Sequence, residues 1–237
     1  MQKNIIIGLS TGDFYRITDA RNNDEQISNY FAIPEARALE LMFHDKENLE
    51  HQLTREIIEN SFSHCSIHVP KYAYKNDEES HRILKFIEKI CSTLPIKNIV
   101  VHPDDVVDRS LFEQYKHLPL SIENMDDRKK SCKGVEDIKK ILNENPYLGF
   151  VLDLQHCFVN DPTMQLARDF HKAFGDRIVQ YHISGYHPEY LHYPLFKTQQ
   201  TEIVKAMERT DIPIIIESTF DDKDDLQKEI AYIKSLI

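Results

Sequence analysis

The chain has 237 residues and a net charge of −10. That is enough for one sizeable core and close to the ~250 residues of a single α/β barrel. An acidic chain without a basic run is poorly suited to non-specific binding along a phosphate backbone, which makes nucleic acid the less favoured partner. No apolar run approaches the ~18 residues of a membrane span, and the opening MQKNIIIGLS is too short in its apolar part for a signal peptide, so a cytoplasmic protein is expected. Cys65, Cys91, Cys132 and Cys157 show no CxxC spacing and read as reduced thiols.

In chain order, residues 4–9 (NIIIGL) form the first β-prone run. The GLSTGDFYR that closes it is neither GxGxxG nor a P-loop. The helix expected next has the weakest pattern of any. Residues 38–43 (ALELMF) form strand 2 and lead into His44, and residues 48–60 have helical spacing. Strand 3, residues 65–68 (CSIH), ends on His68, and a helix follows over 77–92. Strand 4, residues 98–101 (NIVV), runs into His102; strand 5, residues 118–122 (LPLSI), runs into Glu123. A helix over 134–143 precedes strand 6, residues 149–152 (GFVL), which meets Asp153 and then His156. Asp161-Pro162 reads as a cap and first-turn proline for a helix over 162–174. Strand 7, residues 178–183 (IVQYHI), carries His182, with His187 and His192 in the following loop and a helix over 198–209. Strand 8, residues 213–216 (PIII), runs into Glu217. Leu226, Ile230, Ile233 and Leu236 mark one face of a last helix over 223–236.

Eight strand–helix alternations predict parallel pairing and a single (β/α)8 TIM barrel over residues 1–237. The strands read as apolar on both faces, as strands covered by helices should be. In such barrels the chemistry sits at the C-terminal strand ends. Seven of the eight ends here carry His, Asp or Glu. Buried carboxylates are costly when unpaired, and no strand-end Lys or Arg is there to pair them. Carboxylates and imidazoles converging on one mouth suit a divalent metal, with Mn or Zn the expected ions, one to three in number. The set centres on Glu123, Asp153, His182 and Glu217, with His68, His102 and His156 next and His44, His187 and His192 at its margin. His64, at the start of strand 3, belongs to the opposite end and reads as structural.

The segments LELMFH, IHVPKYAY, NIVVHPD, SIENM, LDLQH, YHISGYHPEYLHYPL and IIIES, each in its place along the chain, resemble the xylose isomerase-like superfamily of TIM barrels. That superfamily includes sugar isomerases and epimerases and the endonuclease IV type of AP endonuclease. The resemblance to the epimerases implies one metal held by Glu123, Asp153, His182 and Glu217, with the two glutamates as an acid–base pair. It also implies substrate contact by His156, with His44 and His187 as further candidates. The resemblance to the endonuclease IV type implies His68 and His102 as ligands of a further zinc, and His156 and His192 as candidates for a third. That family has an Asp two residues before the last of these, where this chain has Tyr190. No Arg follows His182 in the strand 7 loop, where some epimerases use one on substrate.

Three functions follow. A metal-dependent isomerase or epimerase of a small sugar-like compound ranks first, favoured by the quartet, the acidic charge and the short loops. A two- or three-zinc phosphoesterase comes next, favoured by His68 and His102. A non-catalytic, metal-stabilised binding protein comes last. The sequence sets no oligomeric state.

Overall fold

A computed structural model of the protein describes residues 5–18, 22–47 and 49–237. Asn4 and Asn48, the expected first residues of strand 1 and of the helix after strand 2, lie outside that set. Eight parallel strands close a barrel: β1 (Ile7–Ser10), β2 (Ala38–Met42), β3 (His64–His68), β4 (Asn98–Val101), β5 (Leu120–Glu123), β6 (Gly149–Asp153), β7 (Ile178–Ile183) and β8 (Ile214–Ile216). Each pairs with its neighbours in sequence, and β8 closes onto β1 through Ile7 opposite Ile214. At β1–β2 the backbones come so close that a Cβ on Gly8 would lie 1.7 Å from the Ala38 carbonyl oxygen, so only glycine fits.

The apolar core is a shell outside the barrel. Side chains alternate along a strand, and Ile67, Ile99, Ile122, Phe150, Leu152, Tyr181 and Ile183 belong to the buried cluster shared with the helices. Helix α3 (Glu78–Thr93) adds Ile83, Leu84, Ile87 and Ile90 to it, and Asp77 caps that helix by accepting from the Ser80 amide at 2.8 Å. The inward positions are different. Glu40, Ser66, Asn98, Ser121 and Gln180 are buried there and hydrogen-bond across the barrel. The reading of the strands as apolar on both faces is therefore corrected. Polar burial is tolerated because these groups hydrogen-bond one another, Glu40 Oε1 alone among their side-chain atoms being left without a partner.

Helices α4 (Ser110–Gln114) and α5 (Val135–Glu144) follow β4 and β5, and elsewhere the expected helices are altered in four places. Between β1 and β2 the chain forms a short helix, α1 (Asp24–Gln26), that continues as a π-helical turn over Ile27–Phe31. The helix expected over 48–60 shortens to α2 (Arg55–Ser61), because His51–Gln52 is an extended pair bridged to Asn22–Asn23. Helix α7 (Gln165–Phe174) starts three residues after Pro162 with Met164, not Asp161, at its N-cap; Asp161 instead accepts from the Leu166 amide at 2.9 Å from the preceding turn. The helix expected over 198–209 is two: α8 (Leu195–Thr198) and α9 (Thr201–Lys205), separated by Gln199 at φ 59°. The buried Glu229 carboxylate accepts from the Leu195 and Phe196 amides, which draws the helix start back to residue 195. No helix among the described residues is long and apolar enough to cross a membrane.

Candidate metal centre

The β6–β7 register shifts by one residue at Phe150 and Val151, with Val179 the extra residue on β7, and this sets Asp153 opposite His182. Asp153 ends the strand and caps the next helix, α6 (Leu154–Asn160), its Oδ1 accepting from the His156 amide at 2.7 Å. The Asn124 side chain holds the same residue from the end of β5: its Nδ2 donates to the Asp153 carbonyl at 2.9 Å and its Oδ1 accepts from the Asp153 amide at 2.8 Å. Asp153 Oδ2 is left without a hydrogen-bond partner.

Glu123 faces two ways. Its Oε1 lies 3.1 Å from His182 Nδ1, and that nitrogen is 3.2 Å from Glu217 Oε1. Its Oε2 lies 3.3 Å from His102 Nε2 and 3.6 Å from His68 Nε2. Those two imidazole nitrogens are 3.1 Å apart. Two groups of donor atoms could therefore each hold a metal ion: Glu123, Asp153, His182 and Glu217, and His68, His102 and Glu123. They share Glu123.

The electrostatics are those of a centre short of cations. Burial, together with Glu123 and Glu217 nearby, raises the Asp153 pKa to about 8 against the pull of His156. Burial opposes charge on His68, but Glu123, Glu40 and Glu217 outweigh it and bring that imidazole to about 9. Burial likewise opposes ionisation of Glu123, and His182 and the other imidazoles overcome it and hold the carboxylate well below its usual range. His102 is lowered by burial and by His68. Four buried or nearly buried carboxylates, counting Glu40, cluster with imidazoles as their nearest cationic groups, and Glu40 Oε1, Glu123 Oε2 and Asp153 Oδ2 lack hydrogen-bond partners. A hard or borderline divalent ion fits this donor set.

Of the ten residues expected from the sequence, His44, His68, His102, Glu123, His156, His192 and Glu217 line a cavity of about 370 Å³ at the barrel mouth. Asp153 and His182 are buried behind them. His187 stands apart, stacked on Tyr190 at 4.9 Å in the hairpin formed by Gly185–His187 and Leu191–Tyr193. His156 Nδ1 donates to the Asn124 carbonyl and His192 Nδ1 meets Ser184 Oγ, so each ring turns its Nε2 away from these contacts. His192 is lowered to about 3 by burial and by His156. His64 hydrogen-bonds Gln180 at the far end of β3. The cavity rim adds Lys71, Arg128 and Lys129, of which Arg128 pairs with Asp126 and Lys129 with Asp104.

Known structures share this architecture. Endonuclease IV from Thermus thermophilus superposes with a TM-score of 0.65 at 14% identity, covering 85% of this chain and 89% of its own. The 3-keto-D-glucoside 4-epimerase of E. coli gives 0.63 at 16% identity, covering 98% and 100%. A proposed 3-DHS dehydratase of Bacillus anthracis gives 0.69 at 16% identity, covering 97% and 98%. The fold is that of the xylose isomerase-like barrels. No protein-family model matches the chain, and no curated protein matches it in sequence.

Glu40, Asn124 and the basic rim carry no signal in the sequence. Glu40 lies mid-strand in ALELMF, where a lone acid reads as an outward-facing residue. Only the parity of Glu40 relative to the β2 end could point it inward.

Proposed function

We propose that the protein is a divalent-metal-dependent hydrolase of phosphoesters, with a centre that takes two ions. The observation that carries this reading is Glu123, whose two oxygens face separate sets of nitrogens, so that one carboxylate can serve two ions. Such a metal pair, when bound, would polarise the phosphoryl oxygens and supply a nucleophile from water at neutral pH. The protein's own residues hold the pieces. Glu123 ties the two ligand groups together. Lys71 stands at the rim to meet an anionic substrate, beside Arg128 and Lys129, which are already paired with Asp126 and Asp104. His156 is fixed through Nδ1, which leaves Nε2 to meet a substrate oxygen. A cavity of about 370 Å³ favours a small sugar-phosphate-like compound over duplex DNA. The likeness to endonuclease IV supports phosphoester chemistry at a site of this kind.

A second reading is isomerisation or epimerisation of a small sugar. It is favoured by Glu217, which opens onto the cavity together with Glu123 as an acid–base pair would, and by the sugar epimerases among the structural neighbours. The two readings separate on substrate. Protein loaded with Zn or Mn is given bis-p-nitrophenyl phosphate, p-nitrophenyl phosphate and abasic-site DNA, and in parallel a panel of ketoses in deuterated water. Metal-dependent release of p-nitrophenol, lost in His102→Ala, supports hydrolysis. Deuterium on carbon, lost in Glu217→Gln, with no ester cleavage, overturns it in favour of the second reading.

A further inference from the structure

The barrel interior is usually packed with Val, Ile and Leu. Here it holds a polar column. Ser121 Oγ donates to Asn98 Oδ1 at 2.6 Å, and Asn98 Nδ2 donates to Gln180 Oε1 at 3.3 Å. Gln180 Nε2 donates to Glu40 Oε2 at 2.7 Å, and Ser66 Oγ donates to the same oxygen at 2.8 Å. At the top of the column, His182 Nε2 lies 3.2 Å from Glu40 Oε2. Glu40 and His182 are fully buried.

We infer that Glu40 is the positioning residue that holds His182 with its proton on Nε2 and its lone pair on Nδ1, toward the ligand quartet. This rests on the quartet holding a metal and is indifferent to whether the reaction is hydrolysis or isomerisation. Carboxylates lie beside both ring nitrogens, and the candidate ligand quartet is what distinguishes them. Nδ1 faces Glu123 and Glu217 at 3.1 and 3.2 Å, the side on which an ion would sit. An imidazole that binds an ion through Nδ1 carries its proton on Nε2. That proton needs an acceptor, and Glu40 Oε2 is within reach. Gln180 Nε2 lies nearer, at 2.9 Å; one of its two N–H groups donates to Glu40, and the second would be accepted by His182 Nε2 only in the opposite tautomer, which a ligating Nδ1 excludes. His68 is held the opposite way. Its Nδ1 donates to the Val69 carbonyl at 3.0 Å and leaves Nε2 toward Glu123. A carboxylate behind a ligating imidazole orients the ring and raises its basicity, and removing such a partner typically weakens metal binding about 10–100-fold. This gives the buried acid on β2 a role: it supports the centre from beneath.

The test uses the full chain. Zinc affinity is measured by chelator competition in wild type, Glu40→Ala and Glu40→Gln. The proton is located by long-range proton–nitrogen correlation on zinc-loaded, histidine-labelled wild type, with His182 assigned by difference from His182→Gln. The expected result is a proton on His182 Nε2. Zinc binding should weaken about 10–100-fold in Glu40→Ala and recover in part in Glu40→Gln, whose amide oxygen still accepts. The glutamine variant and the wild-type spectrum decide the matter if the alanine variant does not fold. A wild-type His182 protonated on Nδ1, or zinc affinity unchanged in both variants, overturns the inference while leaving the metal centre standing. A wild-type chain that binds no zinc overturns both.

Discussion

The two ligand groups that meet at Glu123 are built differently. Asp153, His182 and Glu123 are 0–1% exposed, and each sits on or at the end of a strand. Asp153 is gripped by Asn124 and by the start of α6, and His182 by Glu40. The second group is closer to water. His102 is the first residue after β4, its side chain is 25% exposed, and its Nδ1 is 3.8 Å from Asp105 Oδ2, beyond hydrogen-bond length. Ligands locked by packing and hydrogen bonds lose less freedom on binding than ligands on a loop. If both groups take an ion, as proposed, the quartet is expected to bind the tighter one and fill first, and the His68–His102 group to bind more weakly.

The largest effect should come from the residue the two groups share. Glu123→Gln is expected to lose both ions and to bring metal-dependent activity to background, since the chemistry a metal pair would supply goes with them. Elemental analysis of the purified variant, beside its rate, checks this. A variant that retains both ions would break the idea of a shared ligand.

Next comes the contrast itself. His102→Ala should lose one ion, lower hydrolysis by more than the roughly 10–100-fold that loss of a ligand's own partner costs, and keep most of the rise in melting temperature that metal gives the wild type, since that rise is expected to follow the tighter site. Thermal melts with increasing Mn or Zn measure it. Asp153→Asn should do the reverse, removing most of the thermal shift.

A smaller effect separates the column from the ligands. Gln180→Leu leaves His64, Asn98 and Glu40 each short of one partner. It should cost several kcal/mol, at about 1–3 kcal/mol per unsatisfied buried group. In denaturant unfolding of metal-free protein, His64→Gln should cost less than Gln180→Leu. Equal losses would mean that the column does not act as a network.

The smallest effect lies away from the centre. Burial raises the Glu229 carboxyl from 4.5 to about 7, against the pull of the Leu195 and Phe196 amides and Ser218. The folded state therefore binds this proton more tightly than the unfolded state, and the group's contribution to stability falls as pH rises from about 4.5 to about 7, then levels off. The difference in unfolding free energy between wild type and Glu229→Gln should change by about 3 kcal/mol across that window. A pH-independent difference would show that the carboxyl is not held protonated.

Much of this was legible in the sequence, for reasons particular to each element. Short β-prone runs set between charged stretches of helical spacing make all eight strands readable, and residues 98–101 and 178–183 match β4 and β7 without adjustment. Strand ends carry ligands in chain order, so residues from seven strands could be expected at one mouth. Helix starts were less readable. The start of α8 depends on Glu229, which lies 34 positions along the chain, and α6 begins directly on Asp153 with no intervening loop. His187 follows the same sequence logic as His192, yet their hairpin turns one onto Tyr190 and the other toward His156. Glu40 stayed hidden because its partners come from three other positions, Ser66, Gln180 and His182, that only barrel closure brings together.

The central claim is that one carboxylate serves two ions. Metal content per chain, measured element by element on protein purified without added metal and then titrated with Zn or Mn, tests it most directly. Two ions per chain are predicted, with the second binding more weakly and absent from His102→Ala. Saturation at one ion per chain, unchanged in His102→Ala, would contradict it.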